Sequence, residues 1–323
     1  MLSGFSEKDM NNEQENKTPV AVRVYRKLRY VLATLVLLIM AAAVAQVVYV
    51  LSEYRKGDDM YRAVADSYVL PPRTPRPNQQ QNATDGQGQQ DQQDQQGQQG
   101  QQGEATFRPD ESPDPDATPA PDSDATPAPP SEPQEFAPFS VDFDSLLAMN
   151  GECVGWISIP DTNINFPVMQ AKNNSKYLDI LPDGTKNSNG SIFMDCRCEP
   201  DLSDTNTVIY GHHMNSGAMF TSLEKYYGKA FFNEHRTAYY LTPNADYKIT
   251  IIACMRVEAD GEAYDVFGSE TELRTYLSGA LKNAKVSAPV DVDTIDRIVT
   301  LSTCSGRTGI RTVVVGTVKR IGY

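Results

Sequence analysis

Short runs of β-branched and aliphatic residues, each bounded by polar turns, recur through the second half of this 323-residue chain. They fall at 154–159, 164–168, 207–210, 238–241, 247–255, 297–301 and 312–321, lengths that suit strands. In this half, helical spacing is confined to two places. Residues 140–151 combine an Asp-rich first turn with an Asn-Gly stop, the signature of a short helix. After Ser269-Glu-Thr-Glu272, a capping-box pattern, Leu273, Tyr276, Leu277, Ala280, Leu281 and Ala284 recur at helical spacing. Many short strands with few helices predict a mainly β fold, closed as a barrel. The last two strands, joined by the Gly-containing loop from Ser305 to Ile310, predict a hairpin.

The first half follows other rules. Residues 31–51 are apolar and uncharged, with Gln46 as the one strongly polar member. As a helix this stretch is long enough to cross a hydrocarbon core of about 30 Å. Arg23, Arg26, Lys27 and Arg29 crowd its N-terminal side, whereas Glu53, Asp58 and Asp59 join Arg55 and Lys56 on the other. The basic bias predicts a cytoplasmic N-terminus and an external remainder. Ala43-Val-Ala45 fits a leader cleavage site, but the apolar run continues to Leu51, which a processed leader does not need. The expectation is a retained anchor.

Residues 71–135 are low in complexity. Fourteen glutamines lie between Gln79 and Gln102, and Asp-Ala-Thr-Pro-Ala-Pro occurs at 116 and again at 124. Such a segment cannot fill a core, so disorder and a stalk-like role are expected, with the Pro-rich half the stiffer. The expected organisation is a cytoplasmic segment (1–29), a membrane anchor (30–52), an extracellular linker (53–135) and a folded domain (136–323) able to fold alone as a soluble monomer.

The net charge of −13 resides mostly outside that domain. Residues 71–135 carry three basic against twelve acidic side chains. The folded part is mildly acidic with no basic stripe, which argues against nucleic-acid binding. Five cysteines leave at least one thiol without an intramolecular partner. Cys196-x-Cys198 lacks the second pair of a zinc site, Cys254 sits in an apolar strand as a small hydrophobe, and a disulfide from Cys153 to Cys196 or Cys198 stays open.

Three residues carry candidate chemistry. Cys304 closes the strand-like run ending Thr300-Leu-Ser-Thr-Cys304, where a strand meets a loop. A hairpin brings it beside Arg311, the first residue of the next strand. His212 follows the strand-like run ending at Tyr210 and Gly211. Cysteine, histidine and arginine at strand edges supply a nucleophile, a proton-transfer group and a cationic stabiliser of an oxyanion. His213, His235 and the loop residue Arg307 are the same-type competitors, and the ordered start of a strand favours Arg311.

Thr300-Leu-Ser-Thr-Cys304, Tyr210-Gly-His212 and Arg311 before a Val-rich run resemble the active-site signature of the sortases, most closely those of class B, the Gram-positive cysteine transpeptidases. Val154-Gly-Trp-Ile-Ser-Ile-Pro160, Gly190-Ser-Ile-Phe-Met-Asp195 and Met219-Phe-Thr-Ser-Leu223 extend the resemblance over residues 136–323. It implies an eight-stranded barrel with a helix inserted before the cysteine strand. It also implies catalytic roles for His212, Cys304 and Arg311, and substrate-groove positions at Asn174, Leu178 and Ser302. The implied reaction is cleavage of a sorting signal in secreted proteins through a thioacyl enzyme. The acyl group then passes to an amine of a peptidoglycan precursor or a pilin, without metal or cofactor. Alternative readings are a pilin-polymerising sortase and a catalytically inactive stalked surface module. The papain order, cysteine before histidine, is reversed here.

Overall fold

A computed structural model describes residues 20–73, 135–304 and 309–322, with Cys304 described by its backbone alone. The Gln- and Pro-rich segment 74–134 and Arg307 lie outside the described residues. Helix α1 (Val20–Tyr68) is followed by β1 (Val69–Leu70), β2 (Ser140–Val141), α2 (Phe143–Met149), β3 (Cys153–Ser158), β4 (Asn165–Met169), β5 (Ile192–Met194) and β6 (Asn206–Tyr210). A 3-10 segment (Phe220–Tyr227) leads to α3 (Lys229–Glu234), β7 (Thr237–Leu241), β8 (Asp246–Glu258), α4 (Glu270–Asn283), β9 (Val286–Ser287), β10 (Ile298–Cys304) and β11 (Ile310–Ile321).

Eight strands close on themselves. The order runs β11-β10-β6-β5-β4-β3-β7-β8, and a further β8–β11 pairing seals the ring, leaving β9 as an edge on β8. Closure removes the exposed edges that an open sheet of this size would present. The mainly β barrel expected from the strand pattern is the observed architecture. Most pairs are antiparallel, but β4 and β5 run parallel, as do β6 and β10, with Tyr210 opposite Ser302. Strands β6 and β10 therefore finish at the same rim.

The caps follow local chemistry. Asp142 caps α2, accepting from the Ser145 N–H at 3.1 Å, and Ser269 caps α4 as the capping-box pattern predicts, with Glu272 reaching one residue further back. The Glu272 N–H donates to Ser269, and the Glu272 carboxylate accepts from the Gly268 N–H at 2.9 Å. Leu273 and Leu277 on α4 are fully buried in a cluster with Ile252, Met255 and Val313.

Helix α1 does not stop at residue 52 but continues unbroken to Tyr68. Its apolar half, 31–51, is exposed along its length, and α1 is the one helix among the described residues long and apolar enough to cross a membrane. Its last turns enter the barrel's core. Tyr61 and Val64 are 5% and 6% exposed, and the Tyr61 ring meets Phe166 edge-on at 5.2 Å. The Tyr61 hydroxyl donates to the Gly190 carbonyl at 2.6 Å, and Asn189 donates to the Asp58 carboxylate at 2.9 Å and to the Tyr54 carbonyl. Gly57 faces Asn187 and Asn189 so closely that a Cβ would collide with both. The few apolar residues of this docking surface sit among charges, directly after a much longer apolar run, and that is why periodicity does not reveal them.

Beyond α1 the chain pairs β1 with β2, Val69 opposite Val141. The Ser140 hydroxyl donates to the Pro71 carbonyl at 2.8 Å. Along the chain, residues 74–134 fall between these two paired strands.

Candidate active site

The parallel β6–β10 pair fixes the site. With Tyr210 opposite Ser302, His212 lies two residues past the end of β6 and Cys304 two residues past Ser302 on the neighbouring β10. The Gly211 N–H donates to the Ser302 carbonyl at 3.0 Å, extending the contact past the ladder. A Cβ at Gly211 would come within 2.6 Å of the Phe220 ring, so glycine lets the chain turn over the 3-10 segment here. The last hairpin adds the third residue, because Cys304 is the register partner of Arg311. Residues directly opposed in an antiparallel pair lie on one face of the sheet.

A groove of about 220 Å³ opens at this rim. Asn174, Leu178, His212, Ser302 and Arg311, five of the positions read from the sequence, all line it. The rest of its wall includes Phe193, Tyr210, Tyr264, Thr303 and Ala259, which sequence reasoning assigned no role. Tyr210 and Phe193 lay inside quoted motifs without a reason to single them out. Tyr264 and Ala259 follow β8 in a connection with no motif at all.

Each groove residue is held in a particular way. The His212 Nε2 lies 2.7 Å from the Leu178 carbonyl oxygen. A carbonyl only accepts, so this nitrogen carries the hydrogen, and Nδ1 is the ring atom left to exchange a proton. Leu178 is 44% exposed, an apolar side chain offered to the groove. Asn174 accepts the Cys196 N–H at 2.8 Å. Ser302 is buried, its hydroxyl 2.9 Å from that of Tyr264. Arg311, half-buried, donates from Nη1 to the Ile310 carbonyl at 3.2 Å.

The competitors lie elsewhere. His213 forms a β-bridge with Met219, and His235 ends α3 stacked on Phe231 at 4.0 Å; neither lines the groove. Cys153, Cys196, Cys198 and Cys254 are all free thiols, which closes the question of a disulfide among them. Burial pushes the Cys153 and Cys254 thiols up to about 12 and Cys198 to about 11, so these three stay protonated and unreactive at neutral pH. Among the described residues no cluster of three or more His, Cys, Asp or Glu is placed to hold a metal.

The folded part of the chain is similar to known proteins. The sortase domain family model matches residues 157–319. The chain is 37% identical to sortase B of Listeria monocytogenes over 160 residues and 32% identical to sortase B of Staphylococcus aureus over 163. These alignments cover 49% and 50% of this chain and 65% and 67% of the two relatives. The chain therefore spans about two thirds of the length of the curated relatives it matches. The solved structure of a Staphylococcus aureus sortase B–substrate complex superimposes with a TM-score of 0.52 at 30% identity, covering 56% of this chain and 85% of that one. The chain belongs to the sortase family, within its class B.

Proposed function

We propose that the protein is a membrane-anchored cysteine transpeptidase that cleaves a sorting signal in secreted proteins and transfers the acyl group to an amine of the cell wall. The observation that carries this reading is the convergence of His212, Arg311 and the backbone of Cys304 on one rim, at the mouth of a groove.

In this reaction Cys304 attacks the scissile carbonyl, expelling an amine and forming a thioester, which splits one difficult acyl transfer into two easier ones. His212, with Nε2–H held by the Leu178 carbonyl, carries on Nδ1 the proton that leaves the Cys304 thiol and gives it to the departing amine. It later takes one from the incoming amine at the same atom. Arg311 donates to the carbonyl oxygen as negative charge develops, or to the substrate backbone beside it. Leu178 offers apolar contact to the peptide, and Asn174 and Ser302 offer polar contact. One solved sortase B is bound to a substrate and another to triglycine, which supports a peptide donor and an amine acceptor here.

Arg23, Arg26, Lys27 and Arg29 ahead of the apolar span support a cytoplasmic N-terminus and an external barrel. The domain boundaries consistent with the fold are an anchor that extends as one helix into the catalytic unit, and an insertion at 74–134.

The test is incubation of the protein with a pentapeptide library and mass analysis of the intact chain. An adduct on Cys304 equal to the N-terminal part of a cleaved peptide, released by an added amine, is the expected result. Absence of cleavage and of any adduct across the library would contradict the proposal.

A further inference from the structure

Behind the groove wall lies a buried carboxylate that the chemistry above does not employ. Asp195 follows β5 and its side chain is 1% exposed. It accepts from Arg197 in a two-pronged geometry, Nε to Oδ1 and Nη2 to Oδ2, both at 3.0 Å. The Tyr210 hydroxyl donates to Oδ2 at 2.9 Å. The same Arg197 Nη2 donates to the Tyr264 carbonyl at 2.9 Å. Tyr210 and Tyr264 stack, with centroids 5.9 Å apart, and the Tyr264 hydroxyl meets Ser302 at 2.9 Å. From the other side, the turn after Asp195 presents the Cys196 N–H that holds Asn174.

Four residues that line the groove, Asn174, Tyr210, Tyr264 and Ser302, thus depend on one turn centred on Asp195. A buried carboxylate demands complete pairing, and charge-assisted bonds of this kind are directional as well as strong. Arg197 is about half exposed (54%), so solvent screens its charge and moderates what the pair contributes to stability. What the arrangement fixes is the position of the two aromatic rings and, through the second of them, the Ser302 hydroxyl two residues before Cys304.

We infer that Asp195 is a positioning residue for peptide recognition: with Arg197 it holds the Tyr210 and Tyr264 rings as the wall against which the substrate peptide packs. This rests on the transpeptidase reading above. Loss of the carboxylate loosens the wall, weakening peptide binding while leaving the Cys304, His212 and Arg311 chemistry in place.

The experiment uses the full chain in detergent micelles, with Asp195→Asn and Tyr210→Phe, and as probe the library pentapeptide that the wild type cleaves best. Both variants are expected to raise KM about tenfold and to change kcat less than about threefold, the pattern of lost binding that is equal in ground and transition states. Tyr210→Phe removes one hydroxyl, so it isolates the wiring from any folding defect of Asp195→Asn. An unchanged KM in both folded variants, or a fall in kcat at constant KM, overturns the inference. If the wild type cleaves no peptide, the transpeptidase reading fails separately. The wiring is then read by amide hydrogen exchange, which should quicken about tenfold around Tyr264 and Ser302 in Asp195→Asn; unchanged protection there overturns it.

Discussion

The hydroxyl of Tyr61 donates to the carbonyl oxygen of Gly190 at 2.6 Å across 129 residues of sequence, which makes the end of the membrane-type helix a part of the barrel's core. The core packed on the closed barrel therefore includes the last turns of α1. A fragment of residues 136–323 is expected to aggregate or to melt about 10 °C or more below a fragment of residues 53–323. Within the longer fragment, Tyr61→Ala should cost about 3 kcal/mol or more through the cavity it leaves, and Tyr61→Phe about 1 kcal/mol. Thermal melts of the two fragments and denaturant melts of the variants measure these. Equal stability of the two fragments would return α1 to the status of a loose tether.

Acid should weaken the fold through Asp195. Burial acts to raise its carboxyl pKa, but the hydrogen bonds from Arg197 and Tyr210 outweigh burial and hold it below the ordinary value. A carboxyl depressed in the folded state contributes stability that is full above its unfolded pKa of about 3.9 and is lost as pH falls through the folded value. Urea melts of the wild type from neutral pH down into the acid range should show that loss, and Asp195→Asn should flatten the acid limb. An identical slope in the two proteins would remove Asp195 from the acid response.

Thiol reactivity should separate into two classes. Cys153, Cys198 and Cys254 are buried with raised pKa values, whereas Cys196 is exposed. Native protein treated with a small alkylating reagent at neutral pH should take label at Cys304 and Cys196 alone. Cys304→Ala should keep the Cys196 label, and the double variant with Cys196→Ala should take none. Peptide mapping that finds label on Cys153, Cys198 or Cys254 would contradict the burial of those thiols in solution.

Much of the site was legible before the fold was. The hairpin at 297–321 could be read from two β-branched runs and a Gly-containing loop, and its register places Cys304 opposite Arg311. Asn174, Leu178, His212, Ser302 and Arg311, named from motifs far apart in the chain, share one groove. Three kinds of information were not local. β5 (Ile192–Met194) is only three residues long, too short for alternation to register, yet it joins β4 to β6 and closes the ring. The dock of α1 involves Gly57, Tyr61 and Val64, whose apolar spacing is unreadable amid Arg55, Lys56, Asp58, Asp59 and Arg62. The contacts of Asp195 span 15 residues to Tyr210 and, through Arg197, 67 to Tyr264, and no periodic pattern encodes such a network.

The central claim is that Cys304, Arg311 and His212 act together, and it is tested most directly by turnover of a cleaved library peptide in single variants. Cys304→Ala should abolish turnover, while His212→Ala and Arg311→Ala should each lower it about a hundredfold or more, the usual worth of a proton-transfer group or an oxyanion donor. His213→Ala and Arg307→Ala should retain most activity. A dead Arg307→Ala beside an active Arg311→Ala, or a thioacyl adduct formed by Cys304→Ala, would contradict the account.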